Sequence, residues 1–284
     1  MEYVGIIGDP LGHSLSPTFQ QAAFDHLDLH IEYQSWPTKK RDLQERINLL
    51  RSGDIIGANI TIPYKVDVMK MVDEIDEKAR AIGSINTIHN KDGKLFGYNT
   101  DSDGFIRSLY EESDFKPDGI HALVIGAGGS ARAVVSGLIE KKIDRILIAN
   151  KTIEKAVILM KSFDKSTKPD INTIKFQDLP SVHPERKFDL IVNCTPLGMK
   201  GTNSEDEFPD VLHLVGESTI VYDLVYNPQE TELLKRIKLL GGIPVSGLGM
   251  LVHQGALAFK IWTGHDAPTE TMVEAIKNRL KLNT

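Results

Sequence analysis

The stretch His121-Ala122-Leu123-Val124-Ile125-Gly126-Ala127-Gly128-Gly129-Ser130-Ala131-Arg132 decides how the chain is built. His121 to Ile125 is a short β-prone apolar run, and a helical pattern follows from about Ser130 to Lys141. Gly126 permits the tight turn between them, and Gly128 leaves room for a phosphate group to approach the backbone. Ala131 occupies the position where a third glycine is common, and a small side chain there keeps the helix close to the strand. The helix N-terminus adds unpaired N–H groups and a partial positive charge. Glycine-rich turns also serve plain structural purposes. Placed between a strand and a helix, however, Gly126, Ala127, Gly128, Gly129, Ser130 and Ala131 form a dinucleotide-binding fingerprint.

The next strand, Ile146 to Asn150, refines this reading. An NAD site usually ends that strand in Asp or Glu, whose carboxylate accepts from the ribose hydroxyls. Here Asn150 is followed by Lys151 and Thr152, with Lys155 one turn further on. No carboxylate stands there to repel a 2′-phosphate, and two ammonium groups and a hydroxyl can hold one. The expected cofactor is therefore NADP.

Working outward, the N-terminal segment alternates strand and helix patterns. Strands are expected at Tyr3–Gly8, Ile31–Trp36 and Ile55–Ile62, the last stopped by Pro63, which lacks a backbone N–H. Helices are expected at Pro17–Leu27 and Asp42–Leu50. Such alternation implies right-handed βαβ units and a mostly parallel sheet. Asn99 to Lys116 reads as a connector helix and a polar turn. Beyond the glycine loop come a helix at Ile153–Phe163 and strands near Leu190–Asn193 and Ile220–Asp223. The stretch from about Thr231 to Leu280 reads as mainly helical, and Lys200 to Pro209 as a polar, mobile loop.

Bulk properties bound the function. The 284 residues suffice for one large or two modest domains, and a net charge of −6 offers nucleic acid or an anionic membrane no general attraction. The apolar runs are too short to span a bilayer, and the N-terminus lacks the pattern of a secretory signal. The single cysteine, Cys194, excludes an internal disulfide framework and a cysteine-based zinc site. It reads as a small core residue. A cytoplasmic protein with no nucleic-acid or membrane partner and no metal is expected.

Several strings together resemble the shikimate dehydrogenase family. They are Gly12-His13-Ser14-Leu15-Ser16-Pro17, Asn59-Ile60-Thr61-Ile62-Pro63-Tyr64-Lys65, Gly83-Ser84-Ile85-Asn86-Thr87 and Asn99-Thr100-Asp101-Ser102-Asp103-Gly104 in the N-terminal part. In the C-terminal part they are Asn193-Cys194-Thr195-Pro196-Leu197-Gly198-Met199, Asp223-Leu224-Val225-Tyr226-Asn227-Pro228 and Gly247-Leu248-Gly249-Met250-Leu251-Val252-His253-Gln254. The resemblance covers nearly the whole chain, in the family's order.

The resemblance implies a two-domain α/β protein. Residues 1–101, completed by C-terminal helices at about 243–284, would form a mostly parallel substrate domain. Residues 102–242 would form a Rossmann-type NADP-binding domain, with catalysis in the cleft between the two. The implied reaction is reversible, NADPH-dependent reduction of 3-dehydroshikimate to shikimate in aromatic amino acid biosynthesis, by a monomer or homodimer.

Ketone reduction needs a hydride at carbon and a proton at the developing alkoxide. Lys65 is the implied donor, and Asp101 orients its ammonium group. Ser14 and Ser16 would grip the substrate carboxylate, although alone they read as turn or N-cap residues before the helix at Pro17. Thr61, Asn86, Asp101 and Gln254 match family positions that hold ring hydroxyls, and Tyr226 matches a pocket tyrosine. Thr195 and Met199 follow an expected strand where a nicotinamide would sit, and Leu224 and Gly247 match positions near the same ring. His13 and His253 read as bystanders.

Three departures from the family stand out. Ile60 replaces Val harmlessly. Ser84 replaces a common Ala and would add a hydroxyl near the pocket. Lys151 replaces the usual Arg, giving a point charge in place of a planar fork, which leaves NAD as a secondary cofactor. The nearest alternative is a quinate or quinate/shikimate dehydrogenase using NAD or both cofactors; relatives that use quinate often carry Thr where this chain has Ser16. A non-catalytic ligand sensor on the same fold is the alternative from another class, and retention of both Lys65 and Asp101 argues against it.

Overall fold

A computed structural model describes residues 1–12, 14–163, 169–183, 188–200 and 208–281. His13 and residues 201–207, most of the loop expected to be mobile, lie outside the described residues. The first elements are β1 (Glu2–Gly8), α1 (Ser16–His26), β2 (Ile31–Pro37), α2 (Leu43–Leu49), β3 (Ile55–Ile60), β4 (Glu74–Ile75), α3 (Glu77–Ile82), β5 (Thr87–Lys91), β6 (Lys94–Tyr98) and α4 (Asp101–Glu112). There follow β7 (His121–Ile125), α5 (Gly129–Glu140), β8 (Arg145–Asn150), α6 (Ile153–Lys161), β9 (Asp170–Lys175) and β10 (Leu190–Asn193). The last are β11 (Ile220–Asp223), α7 (Glu232–Leu239), β12 (Ile243–Ser246), α8 (Leu248–Thr263) and α9 (Thr269–Lys281).

The chain divides into two compact units, Met1–Gly104 with Val252–Thr284, and Phe105–Leu251. Both divisions fall within helices, α4 and α8, whereas the boundaries read from sequence lie at 101/102 and 242/243.

The first unit holds a sheet in the order β2-β1-β3-β5-β6-β4. Strand β1 runs parallel to β2 and β3, β4 runs parallel to β6, and β5 is antiparallel to β3 and β6. The sheet is mostly parallel, with β5 inverted. One face packs on α2 and α3 through Ile7, Leu43, Ile47, Leu50, Ile60, Ala79 and Ile88. On the other side Phe24 of α1 stacks on Phe259 of α8, with ring centroids 5.0 Å apart. Both rings are fully buried, and each is worth about 1.5–3 kcal/mol of transfer free energy. That burial, with Met272 and Ile276 of α9 also inaccessible, fixes the C-terminal helices to the N-terminal sheet.

The second unit holds an all-parallel sheet in the order β12-β11-β10-β7-β8-β9. Counted from its own first strand and read from the β9 edge, this is the 3-2-1-4-5-6 order of a doubly wound dinucleotide-binding sheet. Residues 122, 124, 146, 148, 190, 192, 220 and 222 face one core, shared with α5 and α6. Residues 123, 125, 149, 191 and 221 face the other, shared with α7. The near-continuous apolar strands follow from burial on both faces.

Five strands depart from the sequence reading, short β4 among them. The β5–β6 hairpin and β9 were not anticipated, and β12 interrupts a stretch expected to be mainly helical.

Candidate active site

In the first unit, the chain leaves the carboxyl ends of β1, β3 and β6 along the same sheet edge where inverted β5 begins. The register shows this directly: Ile7 pairs with Ile60, Asn59 with Thr87, and Thr87 with Tyr98. Ser14 and Ser16 follow β1, Thr61 and Lys65 follow β3, Asn86 precedes β5, and Asp101 follows β6. Topology thus gathers residues distant in sequence at one edge, where open α/β sheets bind ligands.

Lys65 Nζ donates to Asp101 Oδ2 at 2.6 Å. Their side chains are only 12% and 5% exposed, so water screens this pair poorly. The Lys65 carbonyl accepts from the Ile85 N–H at 2.7 Å, which fixes the backbone under the ammonium-bearing side chain. Asp101 opens α4, where the helix dipole favours a carboxylate. Its own N–H donates to Asn99 Oδ1 at 3.0 Å, while Asn99 Nδ2 donates to the Ser84 carbonyl and hydroxyl, both at 2.9 Å. The Ser84 side chain is therefore buried and engaged in holding Asn99, which corrects the expectation that it adds a hydroxyl near the pocket.

Asn86 ties these parts together. Its Oδ1 accepts from Thr100 N at 2.8 Å and from the Thr87 hydroxyl at 3.0 Å. Its amide hydrogens serve Thr100 Oγ1 at 2.8 Å, Asp101 Oδ1 at 2.9 Å and Gln254 Oε1 at 3.3 Å. Two hydrogens shared among three acceptors make the Gln254 contact the weakest.

The network continues through residues that motif reading left without a role. The Tyr33 hydroxyl donates to Asn59 Oδ1 at 2.7 Å, and Asn59 Nδ2 reaches the Asn86 carbonyl at 3.3 Å. Burial pushes the Tyr33 hydroxyl far above its ordinary pKa, and a hydrogen bond with Ser16 opposes that shift. A hydrogen-bonded chain therefore runs from Tyr33 through Asn59 and Asn86 to Asp101 and Lys65. Asn59 lay inside a quoted motif, whereas Tyr33 carried no signal beyond a strand position.

Ser14 Oγ accepts from the Ser16 N–H at 3.3 Å, the local turn anticipated for it. Thr61 and Gln254 are half-buried, while Ser16, Asn86 and Asp101 are buried. Tyr226 belongs to the second unit, apart in the chain from the rest of the substrate set. A cavity of about 570 Å³ opens at the opposite edge of the first sheet, lined by Glu2, Arg51, His89, Asp92, Trp262 and His265 among others. None of the expected site residues lines it, so concavity alone would have misdirected the search.

In the second unit the glycine loop follows β7 and faces the segment that follows β10, at the point where strand order reverses. Gly126 has φ +112°, and a Cβ there would lie 3.2 Å from Thr195 Cγ2. Both observations require glycine. A Cβ at Gly128 would meet nothing within 4 Å, so open space lies over the helix N-terminus. The first turn of α5 contains no acidic residue, and Ala131 is fully buried against the sheet. This loop can cradle a pyrophosphate. Lys151, Thr152 and Lys155 are exposed at the end of β8, the neighbour of β7. Asn150 Nδ2 donates to the Thr152 carbonyl at 2.7 Å and so shapes that turn.

The loop after β10 is held from within. The Thr195 N–H and hydroxyl both donate to Asn193 Oδ1, at 3.0 and 2.7 Å. Asn193 Nδ2 donates to Asp223 Oδ1 at 2.8 Å. Met199 and Leu224 are half-buried and Gly247 is buried nearby in sequence order on the same unit. Burial and the neighbouring Asp223 carboxylate push the Cys194 thiol far up, and the half-buried side chain packs against the core of this unit. Among the described residues no His/Cys/Asp/Glu group could hold a metal ion, and no helix is long and apolar enough to cross a membrane.

Comparison with known proteins follows the same division. Residues 6–88 match the family model described as "Shikimate dehydrogenase substrate binding domain", residues 111–199 "Shikimate / quinate 5-dehydrogenase", and residues 247–277 "Shikimate 5'-dehydrogenase C-terminal domain". A protein of Methanopyrus kandleri named shikimate dehydrogenase (NADP(+)) is 42% identical over 98% of this chain and 96% of its own length. A solved shikimate dehydrogenase in complex with NADP+ superposes with a TM-score of 0.87 at 38% identity, covering 99% of this chain and 96% of that one. The Thermus thermophilus enzyme in complex with NADP(H) and shikimate gives 0.84 at 32% identity, covering 98% and 99%.

Proposed function

The chain belongs to the shikimate dehydrogenase family, and from that premise we propose that it interconverts 3-dehydroshikimate and shikimate with NADPH, using Lys65 and Asp101 to move the proton. The observation that carries the assignment of roles is the buried 2.6 Å Lys65–Asp101 pair, clamped by Asn86 at the ligand-binding edge of the first sheet.

When bound, the nucleotide supplies the hydride that reduces the C3 carbonyl carbon. Lys65 donates a proton from its ammonium group to the developing alkoxide, leaving a neutral amine that regains a proton from solvent. Asp101 holds Lys65 Nζ in line. In the direction of oxidation the neutral amine takes the hydroxyl proton. The weak Asn86–Gln254 contact is the one a ring hydroxyl can enter, because it leaves the 2.8 and 2.9 Å bonds of Asn86 intact. Ser14 and Ser16 meet the substrate carboxylate, while Thr61 and Tyr226 complete the set of hydroxyl and ring contacts.

On the nucleotide side, the backbone of residues 126–131 takes the pyrophosphate, and Lys151, Thr152 and Lys155 take the 2′-phosphate, with Asn150 shaping their turn. Thr195, Met199, Leu224 and Gly247 surround the nicotinamide. The enzyme works in the cytoplasm as a monomer or homodimer, and its net charge of −6 offers nucleic acid no general attraction.

Steady-state assay of the Lys65→Ala and Asp101→Asn variants tests the roles. Each should lower kcat for shikimate oxidation with NADP by about 10²–10⁴-fold, with the folded state verified by circular dichroism. Near-normal turnover by folded Lys65→Ala would remove Lys65 from proton transfer.

A further inference from the structure

Asp223 is a carboxylate with no exposed surface that takes no part in the chemistry above. It ends β11, next to the end of β10 in the sheet, with Asn193 and Asp223 directly paired in register. Every hydrogen bond found at its carboxylate is accepted: Oδ1 from Asn193 Nδ2 at 2.8 Å and from Val225 N at 3.0 Å, and Oδ2 from the Thr231 hydroxyl at 2.7 Å. Burial raises its pKa, and these three donors oppose that rise.

The consequence reaches Thr195. An ionised carboxylate only accepts, so it turns the amide of Asn193 with Nδ2 towards itself and Oδ1 away. That orientation points Oδ1 at the Thr195 N–H and hydroxyl, which both donate to it. Asn193 Nδ2 also reaches the Leu197 carbonyl at 3.3 Å, and the Thr195 hydroxyl accepts from Leu197 N at 3.3 Å. The Asn193 carbonyl in turn accepts from Leu224 N at 3.0 Å. One buried carboxylate thus sets segment 194–199 through the Asn193 amide, and the Asn193 main chain holds Leu224 beside it. Reversing the Asn193 amide would place its NH2 group against two Thr195 donors and its oxygen against the carboxylate.

We propose that Asp223 is a positioning residue: through Asn193 it holds the Thr195 loop in the conformation that receives the nicotinamide. The proposal rests on the reading of Thr195 and its neighbours as the nicotinamide site. It predicts a split between the two ends of the cofactor, because the glycine loop and the residues around Lys151 make none of the bonds just described.

The test compares two ligands on the full-length protein by titration calorimetry: NADPH, and adenosine 2′,5′-bisphosphate, which carries the 2′-phosphate but no nicotinamide. Asp223→Ala and Asn193→Ala should each weaken NADPH by about tenfold or more, from the loss of one or two buried hydrogen bonds. Both should lower kcat, yet bind the bisphosphate as the wild type does. Asp223→Asn should retain most of the NADPH affinity, since its amide oxygen still accepts from Asn193. Equal losses for both ligands, or no loss for either, would overturn the proposal, the former marking Asp223 as a general support of the nucleotide-binding unit. Should Asp223→Ala fail to fold, Asn193→Ala carries the same comparison. The wild type assayed alongside reports on the nicotinamide reading itself; the ratio of the two affinities reports on Asp223.

Discussion

At the scale of single residues, the site is a network in which few groups have unused hydrogen-bonding capacity. Asn86 is the clearest case, with both lone pairs and both amide hydrogens engaged. Tyr33 is the next, because its hydroxyl satisfies Asn59 where both side chains are buried. Tyr33→Phe should therefore lower stability by about 1–3 kcal/mol, the cost of leaving a buried acceptor unpaired. Chemical denaturation would read this as a shift in midpoint at unchanged slope. An unchanged midpoint would show that Asn59 finds another donor. Lys65, Asp101 and Asn86 were legible because each sits in a string whose neighbours identify it. Tyr33 was not. A tyrosine in a strand has an ordinary packing role, and only the parallel pairing of β1 with β2 and β3 brings position 33 within reach of position 59. Ser84 erred the other way: sequence offered a hydroxyl, and burial against Asn99 consumed it.

At the scale of elements, the turn after β8 controls cofactor choice. Its ammonium groups are exposed point charges on a segment shaped by Asn150, and no carboxylate stands where a ribose 2′-hydroxyl would be accepted. Lys151→Ala should raise KM for NADP by about tenfold, within the range expected for a charge-assisted bond to phosphate, and leave that for NAD nearly unchanged. Equal effects on both cofactors would place the 2′-phosphate elsewhere. The glycine loop, β7 and α5 were plain from sequence because the turn chemistry, the apolar run and the helical period agree there. The β5–β6 hairpin was missed although it carried a signal. Asp92-Gly93 has positive φ at both residues, +53° and +84°, as a tight two-residue hairpin turn demands. Strand β9 offered little, since it lies at a sheet edge with only Ile171, Thr173 and Ile174 partly buried. Strand β12 is short, carries Pro244 and occupies the other edge, where proline is tolerated. Edge strands lack the two-sided burial that makes central strands readable.

At the scale of the whole molecule, two sheets of different construction divide the work. The all-parallel sheet has the strand order of dinucleotide-binding folds, and the mixed sheet uses inverted β5 to bring Asn86 to the edge occupied by Lys65 and Asp101. Strand–helix alternation made the mostly parallel α/β character legible, whereas the two-part plan and the return of the C-terminal helices to the first sheet came through family resemblance alone. The physical reason for that return, Phe24 stacked on Phe259, has no local signature. That this architecture serves shikimate and NADP is best tested by a steady-state matrix of shikimate and quinate against NADP and NAD. The highest kcat/KM is expected for shikimate with NADP, with a smaller value for shikimate with NAD. Preference for quinate with NAD, or negligible turnover in every combination, would contradict it.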